Sequence, residues 1–162
     1  MQETKAISEV PDVKYDGKIS WSRASGRNEN KVSLVQGSWS EFCSLFTTPV
    51  KSKLTAAQYA ALDKEQKLAE KDKGYFVGAE FKNNLRSKNN VICRTMITLD
   101  LDDTVPPDIL KVLSHIGYGA LIHTTRNSTP KALRCRVIFP LNRSCTVEEY
   151  LAAWNYIRGK LS

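Results

Sequence analysis

Two histidines and four cysteines are all the imidazole and thiolate metal ligands that this 162-residue chain offers. Cys43, Cys93, Cys135 and Cys145 form no Cys-x-x-Cys pair and show no zinc-type spacing, which excludes the common zinc modules. Cys93 and Cys135 sit inside apolar runs and read as core thiols of a reducing compartment. With so few histidines a His-rich metal site is excluded as well. No stretch approaches the roughly 18 consecutive apolar residues of a membrane span. The opening MQETKAISEV lacks the basic-then-apolar order of a signal peptide. There are no internal repeats or low-complexity tracts. These absences lead to the expectation of a cytoplasmic protein with no membrane partner.

What is present fits one domain with a proper core. Hydrophobic residues make up 41% of the chain and charged residues 25%, which is ordinary for a globular protein. The charge balance is less neutral: 24 Lys and Arg against 17 Asp and Glu give +7. A basic surface favours polyanions, nucleic acid above all, through counterion release. Residues 1–16 are polar and unpatterned and read as a loose N-terminal arm, leaving 17–162 as a single domain.

Along that domain, KISWSRASGR (18–27) and KVSLVQ (31–36) read as strands, the first running into a turn. Ser38 and Glu41 fit a capping box, followed by a stripe of Trp39, Phe42, Leu45 and Phe46. Thr55 and Gln58 fit another, opening one helix that continues to Gly74. The Gly- and Asn-punctuated segment 74–90 holds room for short strands or a hairpin. From Val91 a strand (VICRTMITLDL), a helix between Pro106–Pro107 and Gly117, and two further strands at 119–125 and 134–141 follow. A turn-rich loop, RNSTPKAL, separates those two strands. Thr146 and Glu149 cap a last helix whose Tyr150, Trp154, Ile157 and Leu161 share a face. The order β-α-β-β-α is most of a ferredoxin-like unit, an α+β fold with an antiparallel sheet. Its closing strand is missing unless an N-terminal strand completes the sheet.

The segment MITLDLDD (96–103) asks what its acids face. On a strand, Ile97, Leu99 and Leu101 point one way and Thr98, Asp100 and Asp102 the other. Residues i and i+2 lie roughly 6–7 Å apart, so both carboxylates enter one small volume. In a ferredoxin-like order the first and third strands are central neighbours, which sets Arg134 and Arg136 beside Asp100 and Asp102. Two readings stand: a structural Asp–Arg network on the open side of the sheet, or a metal–nucleotide site. In the second, Mg²⁺ or Mn²⁺ relieves the repulsion of the paired acids and gathers phosphates, which the arginines hold.

The run from about Trp39 onward resembles the archaeo-eukaryotic primase superfamily. The likeness is to the primase-polymerase domains that precede helicases in phage and virulence-associated E-type replication proteins. It is carried by SWSEFCSLF, by KDKGYFVG before the Asp-x-Asp of TLDLD, and by HTTRNSTPKALRCRVIFPLNR after it. The resemblance implies a ferredoxin-like, RRM-like catalytic core with an N-terminal α/β extension. It also implies metal-dependent nucleotidyl transfer to a 3′-hydroxyl on a DNA template. Asp100 and Asp102 would be the catalytic and metal-holding pair, with Mg²⁺ or Mn²⁺ as cofactor. Arg126, Ser128, Arg134 and Arg136 would contact the nucleotide. The implied partners are single-stranded DNA template, nucleoside triphosphates and a helicase domain or protein.

Two departures from the family pattern bear on activity. The family's second motif carries a histidine where this chain has Ser128, with Arg126 and His123 as nearby substitutes. A third acidic motif follows the last helix in the family, and Asp103 is the only nearby carboxylate here. An alternative therefore stands beside the enzyme: a catalytically degenerate primase-like domain that binds single-stranded or origin DNA. Lys82, Arg86 and Lys88 are candidate phosphate contacts, against the plainer reading of a solvated basic loop. Trp39 and Trp154 read as core residues, while Trp21 is open to either packing or base stacking.

Overall fold

The computed structural model describes residues 13, 14, 16–102 and 108–161. Most of the expected arm, together with Asp103, Pro106 and Pro107, lies outside the described residues. Two antiparallel sheets organise the rest. The smaller one is built from β1 (Lys18–Ala24), β2 (Ser33–Ser38) and β3 (Tyr75–Val77), in the order β2-β1-β3. The larger contains β4 (Ala79–Phe81), β5 (Val91–Leu101), β6 (Leu121–Thr124) and β7 (Cys135–Cys145), in the order β4-β5-β7-β6. The expected α+β class with an antiparallel sheet core is what the chain adopts. The edge beside β5, where a ferredoxin-like unit has its closing strand, is filled by the short upstream strand β4.

Alternation along β5 divides its side chains between two clusters. Ile97 and Leu99 join Val137 and Phe139 of β7 beneath helices α4 (Ile109–Ile116) and α5 (Val147–Lys160). Met96 and Ile138 turn to the other face and meet Trp21, Trp39 and Phe42. All three tryptophans pack against the core, Trp21 at 5% exposure included, so a base-stacking Trp21 is excluded. Helix α1 (Trp39–Ser44) supplies much of this second cluster and carries the expected Ser38–Glu41 capping box. Trp39 and Phe42 are buried, but Leu45 is exposed and Phe46 only partly covered.

The expected helix from Thr55 to Gly74 is instead two. Helix α2 (Ala56–Ala61) stops where Leu62 turns to extended backbone (ψ 148°), and α3 (Lys64–Lys71) begins again behind Asp63. The reason is local: Asp63 and Gln66 form their own capping box, with Asp63 Oδ1 accepting from Gln66 N at 2.8 Å. A side chain that satisfies free N–H groups starts a helix rather than continuing one. Neither α2 nor α3 buries a residue.

Three polar side chains buried between the sheets are satisfied across them. Ser22 Oγ donates to Ala79 O (2.7 Å), Ser20 Oγ to Glu80 Oε1 (2.7 Å) and Thr95 Oγ1 to Ser20 O (2.5 Å). The chain passes from β3 to β4 at Gly78, where a Cβ would meet Met96 Cβ at 2.6 Å. Only a glycine lets the backbone come so close.

Candidate functional site

The small sheet and α1 cover only part of the larger sheet's second face. On that face Thr98, Ile138 and Leu121 form one cross-strand row, and the next row is Asp100, Arg136 and His123. Leu121 packs against the aromatic cluster. The row beyond it carries an exposed acid on β5, a half-exposed arginine on β7 and a half-buried histidine on β6. The cover ends at Phe46 and Phe76: the Phe46 ring lies 4.8 Å from the His123 ring, and Arg136 Cζ sits 6.0 Å from the Phe76 centroid.

Sequence alternation therefore places Asp100 and Arg136 correctly. Arg136 Nε donates to Asp100 Oδ1 at 2.5 Å. The Asp100 side chain remains 53% exposed and that of Arg136 33%, and an ion pair at such exposure is worth under about 1 kcal/mol. It is readily exchanged for another partner. Asp102 follows β5 directly and is exposed. Arg134 immediately precedes β7, its carbonyl accepting from Thr125 N at 3.0 Å. Among the described residues no group of three or more His, Cys, Asp or Glu side chains is gathered as a metal cage. Exposed carboxylates such as those of Asp100 and Asp102 are ligand types suited to a hard cation that brings phosphate oxygens and water as its remaining ligands.

His123 is the member of the row that alternation on β5 and β7 did not supply. Its Nδ1 faces Thr124 O at 3.1 Å, so that nitrogen carries the proton and donates. Nε2 is buried without a partner. Burial pushes the imidazole below its ordinary pKa; the Thr124 carbonyl opposes this, Arg136 adds to it, and Asp100 opposes it. The ring is thus held neutral beside a cation, which leaves Asp100 as the anion that balances Arg136 in this row.

The remaining candidates divide. Ser128 Oγ accepts from Arg134 N at 3.1 Å, and Ser128 N donates to Thr125 O at 3.0 Å. The serine therefore braces the loop that delivers Arg134. Arg126 turns toward the α2–α3 pair, with Cζ 4.5 Å from the Tyr59 centroid and Nη2 3.8 Å from Glu70 Oε1. Glu70 is held below the usual carboxylate range first by Ser52, whose hydroxyl donates to it, and then by Lys73 and Arg126. Lys82, Arg86 and Lys88 lie in the β4–β5 connection, at the end of β5 away from Asp100. Arg86 is occupied there, stacked 4.2 Å over Tyr75 with Nη2 donating to Arg27 O. No part of that basic loop joins the acid row.

No helix among the described residues is long and apolar enough to cross a membrane. Comparison with curated proteins and with solved structures returned no match. A family model described as the VapE N-terminal domain matches residues 3–162. The chain therefore belongs to the VapE N-terminal domain family, which is associated with phage and virulence-associated primase-helicase proteins.

Proposed function

We propose that this domain is the nucleotidyl-transferring part of a phage or mobile-element replication protein, built on an archaeo-eukaryotic primase core. The observation that supports the reading best is the row Asp100–Arg136–His123 at the rim of the aromatic cover, with Asp102 beyond it. Asp100 and Asp102 would hold Mg²⁺ or Mn²⁺ together with the phosphates of the incoming triphosphate. Arg136 would present its planar fork to the phosphate oxygens. Arg134 is the second guanidinium on that edge. Bound metal supplies charge neutralisation and lowers the barrier to using a hydroxyl as nucleophile.

In the transfer a 3′-hydroxyl oxygen forms a bond to the α-phosphorus as the bond to the β-phosphate bridging oxygen breaks. Pyrophosphate leaves, and the hydroxyl proton passes to water. Such chemistry asks the protein mainly for positioning and charge. Lys82, Arg86 and Lys88, at the far end of β5, serve as contacts to template strand outside the acid row. A helicase domain or protein is the expected partner.

A second reading, a primase-like domain that only binds DNA, is favoured by one observation. Ser128 stands where the family's histidine is expected, and its hydroxyl already holds Arg134 N. Primer extension separates the two. With Mn²⁺, dNTPs and a primed template, Asp100→Ala with Asp102→Ala should abolish incorporation, while folding and most of the DNA affinity persist. Activity equal to the parent in the double variant defeats the enzymatic reading. A parent that binds single strands without extending them leaves the second.

A further inference from the structure

On the other side of the large sheet, away from the acid row, α4 and α5 border an open cavity of about 460 Å³. Its volume is in the range of ligand sites. Lys111, His115 and Tyr118 come from α4 and the turn after it, and Tyr156 and Lys160 from α5. Val112 and Ile116, which also pack on the core, form an apolar floor. Tyr118 and Tyr156 are 53% and 54% exposed. Lys160 Nζ lies 5.4 Å from the Tyr156 ring centre, and His115 Nδ1 is fixed on Lys111 O at 2.7 Å. Among the described residues one carboxylate, Asp108, lines it.

We infer that this α4–α5 cavity binds single-stranded nucleic acid, with bases on Tyr118 and Tyr156 and phosphates against Lys111 and Lys160. Exposed rings over an apolar floor suit unpaired bases, which offer a stacking face that a duplex hides. Among the described lining residues, two lysines against one carboxylate, on a chain of net charge +7, match the sign of a phosphate backbone. The preference for a nucleic acid strand rests on the replication reading above, whereas the cavity and its lining do not. The site is separate from the basic loop at 82–90 and from the acid row, and gives the strand a hold on the helical side of the domain.

The test is binding of a fluorescently labelled oligothymidylate, followed by anisotropy over a salt series. Tyr118→Ser with Tyr156→Ser should weaken binding at least about fivefold for each stacked base lost. Lys111→Gln with Lys160→Gln should flatten the slope of log affinity against log salt by about 1.4, from roughly 0.7 per phosphate contact. Unchanged affinity and slope in both cavity variants, with the parent's melting temperature, overturn the inference and leave the acid-row chemistry untouched. Self-association of the parent that is abolished by the tyrosine pair also overturns it, because the face then belongs to a second copy. Weakened binding in a chain that fails to extend primers supports the cavity and removes the enzymatic reading.

Discussion

His123 shows how a single side chain gains meaning from its neighbours across a sheet. In sequence it is a histidine in an apolar strand, five residues before the family's histidine position. Pairing with Arg136, itself paired with Asp100, makes it the third member of a charged row. Burial holds its folded-state pKa below the ordinary value of about 6.5. The unfolded chain therefore binds a proton in a range where the folded chain does not, and stability falls as pH drops below about 6.5. His123→Phe keeps a ring beside Phe46 and removes the proton site. Thermal unfolding between roughly pH 7 and 5 should slope for the parent and be flatter for the variant; superimposed slopes would remove this account. Ser128 is the converse case. Its motif position was legible, but its job, accepting from Arg134 N, depends on how a turn-rich loop closes on itself.

At the scale of elements, capping boxes are the most legible signal, and one of them lies inside an apparent helix. Ser38, Thr55 and Thr146 each open a helix as their spacing to Glu41, Gln58 and Glu149 requires. At the last of these, Arg143 also forks onto Glu149 (2.8 and 3.1 Å) and holds its carboxyl down at about 2. Asp63 and Gln66 carried the same signal inside an apparent helix, and it decided the break between α2 and α3. Because these two helices bury nothing, their tie to the body includes Arg126 against Tyr59 and Glu70. Asp63→Ala should remove about 1 kcal/mol of local helix stability. Hydrogen exchange should then quicken across 64–71 with almost no change in global melting temperature. A large fall in the global midpoint would mean that the pair is packed more firmly than its exposure indicates.

At the scale of the whole molecule, the acid row exists because two sheets meet and one stops short of covering the other. Gly78 permits that meeting by letting the backbone pass over Met96. Gly78→Ala should cost about 1–3 kcal/mol through overpacking, visible as a lower denaturant midpoint; a neutral substitution would show that the junction yields easily. Ser20, Ser22 and Thr95 join the sheets by hydrogen bonds that no periodicity announces, since their partners lie 57 to 75 residues away. The sequence by itself determined the strands and caps, the two faces of β5 and the pairing of Asp100 with Arg136, because alternation and capping act over two to four residues. Only the tertiary structure decided that β4 closes the sheet, that Arg126 turns away to α3 while His123 joins the row, and that Lys82, Arg86 and Lys88 stand at the opposite end of β5. Those outcomes depend on register and on contacts between segments far apart in the chain, which short-range pattern does not encode.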